Sequence, residues 1–331
     1  MRTFQQFIEA AEFGQRLKLF GTDAARVTTA EMQQIYDELR LIFKNDLSEF
    51  SLTKTLATKP DHGDIDILVL ANPGVDLEAL VRAKLGNKVL KYSKNDNIHS
   101  FLYQSQLGKN VHIDFILSTS PEAHRTRNQY YSFNDLAAIV GIIAKKLNFK
   151  YGTEGFFKRF QDKRGIWHNI IISQDLNDGL RILGFKVEKL ELIRSPDDIF
   201  SFIMSSPLIG VDLFSDLNAE YRQTVARRAT TDYVLDKIRE SNVSRKIADE
   251  DHYFRKLYPE LYEKVESKKE EINQRIYSQP KKYNGSWLMQ TFNLSPGPHI
   301  GKILKSLEQQ FGTELDNVPE DEVKEFVKTL N

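Results

Sequence analysis

Cysteine is missing from all 331 residues, which excludes disulfides, thiolate metal sites and cysteine nucleophiles and fits a reducing compartment. Long apolar runs are missing as well. The longest, "LAAIVGIIA" at 136–144, is too short to span a bilayer, and the N-terminal "MRTFQQFIEA" has charged and amide residues where a signal peptide needs an apolar stretch. Both absences read as a soluble, cytoplasmic protein with no membrane partner. Net charge is absent too: 46 basic residues balance 46 acidic ones. The global basic footprint of many nucleic-acid binders is therefore not there, and contact with a polyanion has to come from local runs such as 145–165 and 222–246. No G-x-x-x-x-G-K, G-x-G-x-x-G or G-x-S-x-G pattern occurs, which argues against P-loop, Rossmann and triad-hydrolase chemistry. The chain shows no internal repeat and no low-complexity tract.

What remains is an ordinary globular composition, 40% apolar and 28% charged, on a chain longer than a single core usually serves. "TTAEMQQIYDELRLIFKN" (28–45) predicts a helix, with Thr28 as cap and Glu31 three residues on. "SEFSLTKTLA", "DIDILVLA", "VLKYS", "SFLYQSQ" and "KNVHIDFILS" predict strands, with "DLEALVRAKLG" (76–86) a short helix among them. A capped helix at 132–148 and a hairpin at 154–173 follow, then mostly helices, and a helix, Pro-Gly turn, helix at 284–312. The fold class expected is α+β, a small mixed sheet with flanking helices followed by helical domains. The expected division is a sheet domain at 1–125, a central mostly helical domain with a hairpin at 126–280, and a helical module at 281–331.

One strand carries a charge pattern that needs explaining. In "HGDIDILV", Asp64 and Asp66 share one face of a strand whose other face carries Ile65, Ile67 and Val69. Two carboxylates held side by side repel unless a cation lies between them, and an all-oxygen donor set favours Mg²⁺ or Mn²⁺ over zinc. Asp114 in "VHIDFIL" has the same surroundings on a later strand. If the two strands are neighbours, three carboxylates converge, an arrangement suited to clamping the attacking and leaving oxygens of a phosphoryl transfer with two ions. From the residues alone, a metal site and a set of salt-bridged strand-edge aspartates both fit. Asp249 and Asp251 in "IADEDHYF" repeat the D-x-D spacing in a charged, helical-looking surface stretch, and read as a chance match.

"HGDIDILV" following a polar, Lys-containing loop, with a lone strand aspartate, Asp114, some fifty residues on, resembles the nucleotidyltransferase superfamily that includes DNA polymerase beta, poly(A) polymerases and CCA-adding enzymes. The resemblance covers roughly residues 30–120. It implies that Asp64 and Asp66 bind both magnesium ions, that Asp114 joins them at the ion activating the acceptor hydroxyl, and that a nucleoside triphosphate, ATP or CTP, is the donor. It also implies an RNA 3′ end as acceptor, with a protein hydroxyl or a small molecule as the alternative. A module that keeps the fold, binds nucleic acid and lacks catalysis is the non-enzymatic alternative. In place of the family's Gly-Gly or Gly-Ser turn the chain has "SLTKTLATK". Thr53 and Thr55 there offer hydroxyl donors, Lys54 and Lys59 offer charge, and His62 is a further candidate for the triphosphate. Tyr130 and Tyr131 are candidates for base stacking, and Arg125 and Arg127 for phosphate contact. "LSPGPHIGKILKSL" is similar to the helical tail of bacterial CCA-adding enzymes and poly(A) polymerases. There the turn near His299 to Gly301 either receives phosphate on backbone N–H groups or simply packs two helices closely.

Overall fold

The computed structural model describes residues 19–133, 135–162, 165–214, 229–278 and 282–330. The N-terminal stretch and the first part of the 222–246 basic run lie outside the described residues.

After a two-residue strand β1 (Val27–Thr28), helix α1 occupies Thr29–Phe43. Its start is fixed by a capping box: the Thr28 side chain accepts from the Glu31 N–H while Glu31 reaches back to the Thr28 N–H, an arrangement worth about 1 kcal/mol. Met32, Ile35, Leu39 and Phe43 recur at helical spacing and form its buried face. Strands β2 (Leu47–Leu52), β3 (Asp61–His62) and β4 (Ile65–Ala71) follow, then helix α2 (Leu77–Leu85), which ends at Gly86 with φ 55°. Strands β5 (Val89–Asn95), β6 (Ile98–Gln104) and β7 (Asn110–Ser118) complete a five-stranded sheet in the order β2-β4-β7-β6-β5. Only β4 and β7 run parallel; the other neighbours are antiparallel. A parallel pair needs a long connection, here supplied by α2 and the β5–β6 hairpin.

The sheet's two faces have different chemistry. On one, Ile65, Ile67 and Val69 of β4 join Ile113 and Phe115 of β7 under α1 and α2. Phe115 is the hub of this core, meeting Phe43, Phe50 and Phe101 edge-on at 5.4, 5.5 and 5.0 Å between ring centroids. The opposite face carries Asp66, His112 and Asp114, and is crossed by helix α3 (Pro121–Tyr131), which packs on β4, β7 and β2. Ser120 caps α3 and Pro121 opens it. This helix runs through residue 125, where the sequence suggested a boundary.

Helix α4 (Leu136–Lys146) leads into a three-stranded sheet of β8 (Phe149–Gly152), β9 (Gly155–Gln161) and β10 (Trp167–Ser173), and then into helices α5 (Leu176–Ile182), α6 (Pro196–Ile203), α7 (Ala229–Glu240), α8 (Glu250–Leu257) and α9 (Pro259–Ser278). The C-terminal helices α10 (Gly285–Phe292), α11 (Pro298–Phe311) and α12 (Glu320–Lys328) close around their own core of Tyr283, Leu288, Leu307, Val323 and Val327. The chain divides into two compact units. One holds the described residues up to Arg159 together with Asn169–Tyr262, and the other holds Phe160–His168 with the described residues from Glu263 onward. The observed class is mixed helix and sheet, as expected.

Candidate functional site

The register of the parallel pair decides where the carboxylates go. Asp66 on β4 is the direct partner of Asp114 on β7, so the two stand side by side on one face, a strand spacing of about 4.8 Å apart. Asp64, exposed at the mouth of β4, adds its charge to the same place. Burial, then the charges of Asp64 and Asp114, push the Asp66 carboxyl up to about 8; Lys59 and His112 oppose the rise. A carboxyl in that state holds a proton at neutral pH unless a cation replaces it.

His112, two residues before Asp114 on the same face of β7, donates from Nε2 to Asp114 Oδ1 at 2.9 Å. Its ring is held edge-on by Phe20 at 4.8 Å. Burial pulls the imidazole pKa down, but the hydrogen bond to Asp114 and the charges of Asp114, Asp64 and Asp66 outweigh it and leave the group raised. Tyr131, at the C-terminal end of α3, senses the same charges: burial, Tyr130, Asp66 and Asp114 all raise its hydroxyl. Tyr130 lies edge-on to Tyr131 at 5.4 Å and stacks on Tyr151 at 5.8 Å.

The residues proposed for the triphosphate divide. Lys59 stays with the carboxylates, lowering the pKa of Asp66. Thr53 is buried, and its N–H and Oγ1 both donate to the Asp66 carbonyl, at 3.3 and 3.4 Å, so its hydroxyl braces β4. Thr55 lies half-buried in the same segment. Lys54 turns away: its Nζ donates to both Glu191 carboxylate oxygens at 2.8 and 2.7 Å. His62 is 1% exposed, with Nε2 bonded to Thr29 Oγ1 at 3.0 Å. That imidazole ties β3 to α1 and is not presented to the cleft, because the turn buries it in the β1–β3 pairing. A guanidinium not considered from the sequence sits nearby instead. Arg26 pairs with Asp61 at 2.6 Å, and its Nη1 lies 3.0 Å from where a Cβ on Gly63 would be. Glycine at 63 leaves the room that this guanidinium occupies.

Of the phosphate candidates on α3, Arg125 pairs with Glu122 at 3.3 Å, and Arg127 donates to the Leu117 carbonyl at the end of β7. Asp249 caps α8 by accepting from the His252 N–H, and Asp251 pairs with the buried Lys158 at 2.7 Å. That D-x-D is structural, as its surroundings suggested. Gly301 does not serve close packing: beyond its chain neighbours and its own helix backbone, no described atom lies within 4 Å of where its Cβ would sit. A cleft of about 690 Å³ opens between β2, α3 and the start of α5. Its walls include Lys54 and Glu191 but none of the three aspartates. Among the described residues, no group of three or more acidic or imidazole side chains already stands at metal-holding separations.

His112 and Arg26 are the residues the sequence reading missed. The signal for His112 was present in "VHIDFIL": a side chain two positions from a strand aspartate shares its face. Arg26 carried none, because its place depends on the β1–β3 pairing. No protein-family model matches the chain, and no curated protein matches it.

Proposed function

We propose that this protein is a divalent-metal-dependent nucleotidyltransferase that moves a nucleoside monophosphate from a nucleoside triphosphate to an acceptor hydroxyl. The observation that carries the reading is the pairing of Asp66 with Asp114 across a parallel strand pair, with Asp64 beside them. An all-oxygen donor set in which one carboxyl is driven toward its protonated form fits Mg²⁺ or Mn²⁺. Asp64, Asp66 and Asp114 would hold the ions, and a small rearrangement on loading is expected, because the three are not already drawn together around a centre. Bound there, such ions supply Lewis-acid stabilisation of the charge on the phosphoryl and leaving oxygens.

The protein's own residues have separable roles in this reading. Asp64 and Asp66 face the donor triphosphate. Asp114, its orientation fixed by His112, receives the proton of the acceptor hydroxyl as that oxygen bonds to the α-phosphorus. The bond from the α-phosphorus to the bridging oxygen breaks, and pyrophosphate leaves. Lys59 provides positive charge where the family's glycine turn would offer backbone N–H groups, while Arg26 nearby is engaged by Asp61; ATP or CTP is the expected donor. Tyr131, at the end of α3 and under the influence of the Asp66 and Asp114 charges, is the side chain assigned to the sugar or base in this reading.

Incubation with each α-labelled nucleoside triphosphate, Mg²⁺ or Mn²⁺ and a panel of acceptors tests the proposal. Label transfer is expected to vanish with EDTA and in Asp64→Asn and Asp114→Asn. Transfer that survives both substitutions would overturn it.

A further inference from the structure

Two neighbouring rows of side chains cross the carboxylate face of the five-stranded sheet. One runs Ser93, Ser100, Asp114, Asp66 from β5 to β4, each the direct partner of the next. The other lies two positions along each strand and runs Lys91, Leu102, His112, again in register. Segment 20–26, ahead of β1, follows this second row. Asp23 pairs with Lys91 at 2.6 Å, Phe20 and Ala24 form a small buried cluster with Leu102, and the Phe20 ring meets the His112 ring edge-to-face, 4.8 Å between centroids.

The segment is anchored at both ends. Towards β1, the Ala25 N–H donates to the carbonyl of Asn110, the first residue of β7, at 2.7 Å, and Val27 pairs with His62. Two ion pairs, Asp23 with Lys91 and Arg26 with Asp61, join side chains that are between 41% and 52% exposed, so they hold the segment only weakly. The Phe20 end depends on apolar burial instead: Phe20 is 7% exposed, Ala24 8% and Leu102 2%.

His112 is where this packing meets the chemistry. Among the described residues its one hydrogen bond runs from Nε2 to Asp114 Oδ1. One bond fixes one ring atom, and the broad outer torsion of a histidine leaves the ring plane free to swing. Leu102, its cross-strand partner, and Phe20 bound the ring. The imidazole side chain is only 11% exposed; without Phe20, water would enter beside it and compete for the bond to Asp114.

We infer that segment 20–26 belongs to the catalytic centre and that Phe20 is a positioning residue: it holds the His112 imidazole in the orientation that aims the Asp114 carboxylate at the acceptor hydroxyl. The inference rests on the nucleotidyl-transfer reading for the role of Asp114. Because Phe20 acts through His112, its removal can cost no more turnover than removal of His112 itself.

Transfer kinetics and the imidazole signal are to be measured on the full chain, with each variant shown to be folded by circular dichroism. Phe20→Ala is expected to lower kcat about three- to tenfold with KM for the triphosphate unchanged. Phe20→Leu keeps an apolar wall beside Leu102 and is expected to stay within about twofold of wild type. In the His112→Ala background, adding Phe20→Ala should leave kcat unchanged. In the metal-free protein, nitrogen-15 NMR should show a hydrogen-bonded imidazole N–H signal, assigned by its loss in His112→Ala, that survives in Phe20→Leu and broadens or vanishes in Phe20→Ala. Any of four results would overturn the inference while leaving nucleotidyl transfer standing: an unchanged kcat in Phe20→Ala, a loss carried by KM or shared equally by Phe20→Leu, a full further loss in the double variant, or an imidazole signal that Phe20→Ala leaves intact. Wild-type protein that transfers no label with any nucleotide, metal or acceptor would refute the transfer reading, and the positioning role with it.

Discussion

Replacing Asp66 by asparagine should stabilise the metal-free protein while destroying its activity. Burial and the charges of Asp64 and Asp114 raise the Asp66 carboxyl from 3.8 to about 8. In the unfolded chain the same group ionises near 3.8. Between these values the folded state holds a proton that the unfolded state has released, so stability falls as pH rises through that window. At pH 7 the difference spans about three pH units, which at about 1.4 kcal/mol per unit comes to about 4 kcal/mol against folding. Asparagine has nothing to protonate and keeps the shape. Relaxation around the site will absorb part of the gain, so about 2–4 kcal/mol is expected at pH 7, or an increase in melting temperature of about 3–6 °C for a chain of this length. Calorimetry of wild type and Asp66→Asn in EDTA at pH 4, 6, 7 and 8 measures it. The gain should be near zero at pH 4 and should grow steadily to pH 8. An unchanged or lower melting temperature at pH 7, or a gain of the same size at pH 4, would refute the reasoning. Label transfer by the variant should fall by at least about a thousandfold.

Other substitutions separate the remaining roles. His112→Ala frees the Asp114 carboxylate from its 2.9 Å hydrogen bond and should lower kcat about tenfold or more with little change in KM for the triphosphate; a pure KM effect would place the imidazole on the nucleotide instead. His62→Ala removes the imidazole bonded to Thr29 and should cost about 1–2 kcal/mol of stability in denaturant titration, leaving KM unchanged. Phe115→Ala empties the hub shared by Phe43, Phe50 and Phe101 and should cost about 3–5 kcal/mol, seen as a lower urea midpoint with an unchanged slope.

Local signals were strong where apolar period and turn chemistry agreed. The capping box at Thr28, the Gly86 stop after α2 and the alternation in "DIDILVLA" were readable because each depends on neighbours within a few positions. Helix α3 was not readable. "PEAHRTRNQYY" has no apolar stripe, since the residues it buries are His124 and Thr126, so hydrophobic period carried no signal. The same limit applied at the site. Asp64, Asp66 and Asp114 could be singled out by composition, but the register that sets Asp66 against Asp114 comes from the pairing of β4 with β7. The direction of Lys54 was beyond local reasoning, because its partner Glu191 stands 137 positions away. His62 misled because a histidine in a turn reads as exposed, whereas the β1–β3 pairing encloses it.

The central claim, that three strand aspartates hold a divalent ion for nucleotidyl transfer, is tested most directly by counting bound Mn²⁺ by electron paramagnetic resonance with a non-hydrolysable triphosphate present. Wild type should bind Mn²⁺ in a nucleotide-dependent manner, and Asp64→Asn and Asp66→Asn should each weaken that binding by at least about tenfold. Equal Mn²⁺ binding by wild type and both variants would contradict it.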